Sequence, residues 1–295
     1  MKKVLCIAFA ALMMLALVAC GGGNQPQTGS ETPEWITEVL GHEPTGRLKE
    51  ILDKGELNYV FSPDYAPMEF VDPNKSGDAS YVGADIELAK YFAAQLGVEL
   101  KLNANDFDAC QTLIGQNMTD IGISGFTPDP DREKTMTFTE NYYVCDYQGV
   151  LVRLEDKDNY PDYASFNGKT VAAQNASVQQ TLAEQWLVPQ GAKLQVVTKV
   201  TDGILMLQTG TIDGVVMEVD PGEAAALANP ELAMAGVKLQ VEETGYACAI
   251  PKSDDPEYNK DYLTVLNHMI GKVVDEGLYL GWREDALKLQ AELGA

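Results

Sequence analysis

Apolar and polar residues follow two alternating periods along the first half of the chain. Over 85–96 the apolar residues fall at helical spacing, and Gly97 follows as a helix stop. Residues 98–102 then alternate between apolar and polar, as a strand with one exposed face does. The same reading predicts helices over 46–52 and 108–115 and strands over 57–61 and 119–124. Strands and helices in this order indicate βαβ units and a mainly parallel sheet.

The pattern restarts in the second half of the chain. It predicts strands over 169–173, 194–198 and 213–217, with helices over 177–186 and 202–208. Two extended segments, 142–152 and 244–251, flank this second α/β lobe and are rich in β-branched or aromatic residues. If both join the lobes, the first lobe is discontinuous and takes back two C-terminal helices, 259–276 and 278–293.

The N-terminal residues differ from everything after them. Lys2 and Lys3 precede sixteen apolar residues, 4–19. This is the layout of a secretory signal, and it is shorter than the ~20 residues of a membrane-spanning helix. The stretch ends in Leu17-Val18-Ala19-Cys20, which resembles the lipobox of bacterial lipoproteins, where the cysteine is lipidated. An ordinary cleaved signal and an uncleaved anchor are the alternatives.

The segment after Cys20 has the composition of a flexible linker. Residues 21–33 consist mainly of Gly, Gln, Thr, Ser, Pro and Glu, so we expect folded sequence to begin near Thr45. We therefore predict a signal peptide over 1–19 and a lipid-anchored linker over 20–44. An exported chain carrying palmitate or a similar lipid at Cys20 would be tethered to the cell membrane, outside the cytoplasm.

The charge of the chain excludes one class of partner. The formal net charge is −23, and losing Lys2 and Lys3 with the signal makes it more negative still. So acidic a surface repels the phosphates of nucleic acid, and no nucleic-acid partner is expected. The charge of a binding pocket is a separate matter and does not follow from it.

Cysteine and histidine are too sparse for a metal centre. Beyond the signal only Cys110, Cys145 and Cys248 follow Cys20, an odd number at wide spacing. That is no disulfide framework, although one bridge between the last two is possible outside the cytoplasm. With only His42 and His268, we expect neither a metal nor a cofactor.

A series of short motifs resembles one known family. The motifs occupy 65–70, 81–89, 106–108, 120–127, 131–134, 138–143, 168–171, 210–216 and 281–282. In this order they resemble the extracytoplasmic solute-binding proteins for polar amino acids, bacterial solute-binding protein family 3. These are the receptor subunits of ATP-binding-cassette (ABC) importers. The resemblance covers about residues 45 to 285.

The resemblance implies a fold and a function. The fold is α/β, periplasmic-binding-protein-like of type II, with two α/β lobes joined by two hinge strands. Residues 45–143 would form the first part of lobe 1, 144–244 lobe 2, and 245–295 the return of lobe 1. The function implied is that of a substrate-binding lipoprotein, which is not an enzyme. It captures an amino acid or a related zwitterion and delivers it to a membrane permease.

The resemblance also assigns the contacts with the ligand's carboxylate. Arg132 matches the family's arginine that meets this group, and Ser124, Gly125 and Thr127 match the turn of donors before it. The chemistry of arginine supports this assignment independently of the resemblance. A guanidinium is planar and always charged, so it makes two parallel charge-assisted hydrogen bonds to a carboxylate.

The other assigned contacts come from both lobes. Ser177, at the start of a predicted helix, matches the donor of the second lobe. Glu218 matches the acid that holds the α-amino group, although the family more often has aspartate there and Asp220 is the alternative. Tyr65 and Phe107 would supply aromatic walls, because both lie in turn segments at strand ends.

The residue at position 62 and two alternative functions keep other interpretations open. Ser62 stands where several relatives that bind basic side chains have an acid, which weakens a lysine, arginine or histidine assignment. An exported enzyme on the same scaffold, resembling cyclohexadienyl dehydratases, is the alternative function, and an orphan receptor without an importer is another. Such an enzyme needs a catalytic acid or base in the cleft, and the carboxyls available are Glu69, Glu140, Glu218 and Asp220.

Overall fold

The computed structural model describes residues 32–239 and 245–294. The predicted signal peptide and the lipidation site at Cys20 lie outside these ranges. Within them, no helix combines the length and the apolar character needed to cross a bilayer.

Helices and strands follow one another along the chain in the following order. The first half contains α1 (Glu34–Leu40), α2 (Gly46–Lys54), β1 (Glu56–Phe61), β2 (Phe70–Val71), β3 (Tyr81–Val82), α3 (Ala84–Leu96), β4 (Glu99–Ala104), α4 (Phe107–Gly115), β5 (Ile121–Gly122) and β6 (Met136–Val144). The second half contains β7 (Gln148–Arg153), β8 (Thr170–Gln174), α5 (Val178–Leu182), β9 (Lys193–Val197), α6 (Val200–Gln208), β10 (Gly214–Glu218), α7 (Val219–Ala228), β11 (Leu232–Leu239), β12 (Gly245–Pro251), α8 (Pro256–Asp275) and α9 (Leu278–Leu293).

These strands form two five-stranded sheets. Sheet A has the order β4-β1-β5-β12-β6, and sheet B has the order β11-β7-β10-β8-β9. In each sheet three neighbouring strands are parallel, namely β4, β1 and β5 in sheet A and β10, β8 and β9 in sheet B. The remaining two strands of each sheet run antiparallel to a neighbour. The predicted βαβ units therefore account for the parallel part of each sheet, and the sheets as a whole are mixed.

The chain passes between the sheets twice. It leaves sheet A after Val144 and enters sheet B at Gln148, and it returns between Leu239 and Gly245. Sheet A is therefore built from two separate stretches of sequence. We call sheet A with its helices the first lobe, and sheet B with its helices the second lobe.

Each lobe has its own apolar core. In the first lobe, Ile51 of α2, Phe92 of α3 and Leu266 of α8 are buried against sheet A. In the second lobe, Leu182 of α5 and Leu207 of α6 are buried against sheet B. Each sheet is covered by its own helices, and the contacts between the lobes are made by loops, by polar side chains and by helices α7 and α9.

Folded structure begins within residues 20–44. The predicted end of the linker at residue 44 is therefore wrong. Helix α1 lies within this range, and Ile36 is completely buried. Trp35 stacks on His268 of α8, with ring centroids 5.6 Å apart, and its indole N–H donates to the carbonyl of Gln95. About two turns of helix give little periodicity to detect, and the burial of α1 depends on a partner more than 200 residues away.

Two other predicted elements are shorter in the structure. The strand predicted over 119–124 is reduced to β5, because the chain after Gly122 turns into the space between the lobes. The helix predicted over 177–186 is α-helical only in α5, and a π-helical turn, Ala183–Leu187, continues it.

The three cysteines in the described ranges are free thiols. Cys248 lies in β12, and its N–H donates to the hydroxyl of Thr139 in β6. Cys145 follows Val144, which pairs with Gly245, and Cys248 lies three residues further along β12, roughly 10 Å at the usual rise of a strand. The thiols of Cys145 and Cys248 are therefore not neighbours.

Candidate functional site

The candidate site lies between the two sheets, at the carboxyl ends of their parallel strands. Ligands bind at this edge in open α/β sheets. Loops after β1, β4 and β5 of the first lobe face those after β8 and β10 of the second. They enclose a cavity of about 20 Å³, here called the cleft cavity, lined by Ser62, Asp64, Tyr65, Glu69, Phe107, Ser124, Gly125, Gln174, Ser177, Gln179 and Glu218.

Most of the predicted ligand-binding residues meet at this cavity. Those that line it are Tyr65, Phe107, Ser124, Gly125, Ser177 and Glu218. The other two, Thr127 and Arg132, are buried beside it. Arg132 lines an adjoining cavity of about 430 Å³, and Ser177 lines both.

The Arg132 guanidinium is bonded to both lobes. Its Nη1 donates to the carbonyl of Thr127 at 2.7 Å, and its Nη2 donates to the carbonyl of Ala176, in the second lobe, at 3.2 Å. Its Nε donates to Gln111 Oε1 at 3.2 Å, and its Cζ lies 5.5 Å from the centre of the Phe107 ring. These bonds leave one N–H on each terminal nitrogen, the number that a bidentate carboxylate takes.

The electrostatic surroundings of Arg132 favour an anionic ligand. Burial lowers the pKa of Arg132, and the negative charges of Asp129 and Glu218 oppose that effect. Asp129 Oδ2 lies 3.3 Å from Arg132 Nε and is partly exposed. A buried cation whose charge is only partly compensated is stabilised by a further anion that contacts it away from water.

Ala176 holds the second lobe's side of this contact in an uncommon backbone conformation. Its φ is +58°, in the left-handed region that residues other than glycine seldom occupy. In this conformation its carbonyl accepts from both Arg132 and Gln111, and its N–H donates to Gln180 Oε1. Such strain persists where surrounding contacts enforce it, and it is common at binding sites.

Glu218 brings a carboxyl group to the opposite side of the cleft cavity. It is 3% exposed, accepts from Gln148 Nε2 at 2.6 Å, and lies 3.3 Å from the hydroxyl of Tyr65 in the first lobe. Gln148 is itself held by Gln179 Nε2 at 3.0 Å. Burial raises the pKa of Glu218 to about 8, and the charge of Arg132 lowers it only in part, because none of the described residues bonds a cation to it. An ammonium group would supply that cation.

Asp220 is engaged outside the cavity. It accepts from the hydroxyl of Tyr143, and Arg283 Nη2 lies 3.4 Å from it. These partners come from β6 and α9 of the first lobe, so Asp220 joins the lobes on another side of their interface. Of the two acids considered from the sequence, Glu218 is the one that faces the cleft cavity.

The two predicted serines, Ser124 and Ser177, already have hydrogen-bond partners. Ser177 Oγ donates to the carbonyl of Gln174 and accepts from Gln180 N–H, as the N-cap of α5. Ser124 Oγ donates to Glu69 Oε1 at 2.5 Å. In this arrangement both hydroxyls stabilise the protein's own loops.

A buried pair of carboxyls lies directly beneath the cavity. Glu69 and Asp85 are at most 1% exposed, and Asp85 accepts from the hydroxyls of Tyr142 and Tyr279 and from Gly125 N–H. Burial raises the pKa of both acids, and the charge of Asp85 raises that of Glu69 further. Both carboxyl groups are therefore protonated more readily in the folded protein than in water.

Asp64 is the cavity residue that the sequence analysis missed most clearly. Its Oδ2 accepts from Val200 N–H at 2.7 Å and from Gln174 Nε2 at 3.0 Å, both in the second lobe. Its Oδ1 accepts from the hydroxyl of Ser62 at 2.7 Å. The available signal was its place in the turn directly after β1, one residue before Tyr65.

A second and larger space adjoins the cleft cavity at Asp64 and Tyr65. This outer cavity has a volume of about 390 Å³ and shares both residues with the cleft cavity. Its walls are largely apolar and include Phe70, Val71, Val200, Ile204, Met217, Pro221 and Ala225. Lys199 also lines it, with an exposed side chain.

The lobes are closed on one another in this structure. Side chains bond directly between them, and the cleft cavity has room for about one water molecule. An amino acid is larger than that, so the lobes must separate to admit one. The bonds between the lobes include Tyr65 to Glu218, Gln174 and Val200 to Asp64, Asn175 to Asp108, and Arg132 and Gln111 to Ala176.

Some of the residues considered for catalysis lie away from the cleft cavity. His42 has an exposed side chain near Asp261, and His268 lies against Trp35 in the first lobe. Glu140 is exposed on β6. Of the acids considered for catalysis, only Glu69 and Glu218 reach the cleft cavity.

Comparison with known proteins agrees with this geometry. Residues 57–279 match the family model described as bacterial extracellular solute-binding proteins, family 3. The chain is 28% identical over 263 residues to the arginine-binding extracellular protein ArtP of Bacillus subtilis. This match covers 88% of the chain and 91% of ArtP.

Solved structures show the same architecture. One is an amino acid ABC transporter substrate-binding protein of Streptococcus pneumoniae bound to L-arginine. It is 31% identical, has a TM-score of 0.74, and covers 82% of this chain and 99% of its own. The predicted fold class, two α/β lobes of the type II periplasmic-binding-protein kind, is confirmed.

One further likeness bears on the enzyme alternative. An ancestral amino-acid-binding protein, a precursor of cyclohexadienyl dehydratase, is 25% identical with a TM-score of 0.70, over 81% of this chain and 99% of its own. Its name describes a binding protein. The similar proteins described above are likewise named for binding and not for catalysis.

Proposed function

The chain belongs to the bacterial extracellular solute-binding proteins of family 3, and we propose that it captures an amino acid between its lobes for an ABC importer. This membership confirms the family that the motif series predicts. The observation that carries the proposal is a buried guanidinium and a buried carboxyl group at one interface. Arg132 comes from the first lobe, and Glu218 comes from the second.

The ligand's two charged groups would take these two partners. The carboxylate accepts from the free N–H groups of Arg132, in charge-assisted bonds worth about 1.5–3 kcal/mol each. The ammonium group donates to Glu218, which gives up its proton as it gains a cation. Phe107 and Tyr65 form walls beside the ligand. A molecule that lacks the carboxylate or the ammonium group leaves Arg132 or Glu218 without an ionic partner.

Domain closure would couple capture to delivery. In this proposal the first lobe consists of α1 with residues 45–143 and 245–295, and the second lobe consists of residues 144–244. Ligand enters when the lobes separate, and contacts from both lobes then favour the closed form. A permease that binds the closed surface better than the open one would receive only loaded protein.

Anchoring at the membrane is the second part of the proposal. Cys20 would carry the lipid, and 21–33 would separate it from α1. Feeding cells labelled palmitate should label the wild-type protein and not the Cys20→Ser variant. Equal labelling of both would reject Cys20 as the anchor and leave the binding function untouched.

The direct test of function is a titration of the purified protein with the twenty amino acids, ornithine and citrulline. At least one should bind, and Arg132→Ala should weaken that ligand tenfold or more, since one such bond exceeds the ~1.4 kcal/mol that equals tenfold. Lys134→Ala is the matched control. Its exposed side chain pairs with Asp131 in the same segment, so we expect no change in affinity.

Three outcomes would contradict the proposal or a part of it. Folded protein that binds none of these compounds would end the amino-acid assignment. Conversion of prephenate or arogenate by the wild-type protein would instead establish the dehydratase alternative. An unchanged affinity in Arg132→Ala, with binding intact, would remove Arg132 from the site.

A further inference from the structure

One polar contact between the lobes lies outside both the cleft cavity and the outer cavity. It consists of Asp220 at the start of α7 in the second lobe, with Tyr143 of β6 and Arg283 of α9 in the first lobe. We call these three residues the Asp220 cluster. None of the three lines either cavity. A ligand held in the cavities is therefore bound by other residues.

Oδ2 of Asp220 is the centre of the cluster. It accepts a hydrogen bond from the hydroxyl of Tyr143, and Arg283 Nη2 lies 3.4 Å from it. The Arg283 guanidinium also lies over the Tyr143 ring, with its Cζ 5.5 Å from the ring centre. The side chains of Asp220 and Arg283 are 22% and 20% exposed. Salt screens an ion pair that is partly removed from water less than an exposed one.

Tyr143 is held in place by the rest of the first lobe. Its ring centre lies 5.6 Å from that of Tyr246 and 5.4 Å from that of Tyr279. Burial raises the pKa of Tyr143, and the hydrogen bond to Asp220 and the charge of Asp220 raise it further. The hydroxyl therefore keeps its proton and donates it to Asp220 as a hydrogen bond.

The bonds of the cluster depend on how the lobes are arranged. Helices α7 and α9 belong to different lobes and pack against each other. This contact continues away from Asp220, where Ala225 of α7 and Gln290 of α9 line the outer cavity together. Rotation of one lobe against the other changes the separation of α7 and α9. A hydrogen bond is lost once donor and acceptor are more than about 3.5 Å apart, so the cluster favours the closed arrangement.

We propose that the Asp220 cluster stabilises closure equally for every ligand, so that it contributes to the affinity of the protein and not to its selectivity. This rests on the proposed amino-acid function and adds three positioning residues to it. Contacts that form as the lobes close oppose their reopening. They therefore slow the dissociation of the ligand and leave its association unchanged.

The experiment measures association and dissociation rates for the wild type, Tyr143→Phe, Asp220→Ala and the double variant. The probes are the twenty amino acids, ornithine and citrulline. For every probe that the wild type binds, each single variant should dissociate about threefold to tenfold faster, with an unchanged association rate. The double variant should behave as Asp220→Ala does, because the Tyr143 hydroxyl acts through Asp220.

Lys288→Ala is the matched control in α9. Lys288 pairs with Glu284 and Asp285 of its own helix, so neither rate should change. Damage to the fold alone would reduce the fraction of protein that binds and would not speed dissociation from the rest. Tyr143→Phe removes a single oxygen atom and keeps the ring, so it provides the test even if Asp220→Ala does not fold.

The other outcomes separate the inference from the function. Unchanged dissociation rates in Tyr143→Phe and Asp220→Ala would show that the inference is wrong. So would slower association, or a change in the relative affinities of two amino acids. Wild-type protein that binds none of the probes would overturn the proposed function, and the inference with it, without any variant being needed.

Discussion

At the scale of single residues, the site is a set of buried ionisable groups. Arg132 and Glu218 face the interface from opposite lobes, and Asp64 and Glu69 add acids to it. Motif resemblance predicted the first two from the sequence. Asp64 could not be predicted, because an aspartate in a turn is normally exposed to solvent. Its burial depends on contacts with the second lobe.

Ligand affinity should depend on pH through Glu218. Its pKa of about 8 in the ligand-free protein means that binding an ammonium expels a proton at neutral pH. Affinity should therefore rise from about pH 6 to pH 8, by up to about tenfold per pH unit, and level off above that. Titration calorimetry in two buffers of different ionisation enthalpy would measure the proton released.

The control for this dependence is Glu218→Gln. The amide cannot titrate, so the variant should bind more weakly and with little change between these pH values. A wild-type affinity that is constant over the same range, with no proton released, would show that Glu218 does not meet the ligand's ammonium group.

At the scale of elements, hydrophobic periodicity predicted the long helices and the parallel strands well. Helices such as α3 and α8 show their buried face in the sequence, because their apolar stripe is long. Elements whose existence depends on distant partners were missed or misjudged. Helix α1 is stabilised by α8, and β5 is cut short where the chain turns into the cleft.

Replacing Ile36 by alanine tests whether α1 belongs to the folded body. Ile36 is completely buried, so Ile36→Ala should lower the free energy of unfolding by about 2–5 kcal/mol. Urea denaturation would measure this. Glu38→Ala, at an exposed position of the same helix, should change stability by less than about 0.5 kcal/mol.

The outcome separates two views of the N-terminal segment. Equal stability of Ile36→Ala and the wild type would mean that α1 does not contribute to the fold, as the linker prediction held. Ligand affinity should be unchanged in both variants, because α1 lies away from the cleft.

At the scale of the whole molecule, the lobes are joined by polar contacts between separate cores. The sequence indicated two lobes and two connections, since the βαβ pattern restarts and extended segments flank the second half. It could not give the closed arrangement, which depends on bonds such as Asp64 to Val200 and Arg132 to Ala176 between distant residues.

The ligand-free protein should lose stability as the pH rises. Glu218, Glu69, Asp85 and Asp64 all have a pKa raised by burial in the folded state. An acid of this kind stabilises the fold while protonated, so the contribution is complete below its ordinary value near 4 and is lost as pH rises through the raised one. For Glu218 the window runs from 4.5 to about 8.

The melting temperature measured by calorimetry should accordingly be higher at pH 5 than at pH 8. Glu218→Gln should show a smaller difference between these two values, because one of the four acids is removed. A melting temperature that rises over this interval would mean that these carboxyls are paired with cations in the folded protein.

A crystal structure of the protein with its bound amino acid tests the central claim most directly. We predict the ligand's carboxylate on the Arg132 guanidinium and its ammonium on the Glu218 carboxylate, with the lobes closed around both. A ligand bound within one lobe alone, or with neither residue in hydrogen-bond contact, would contradict it.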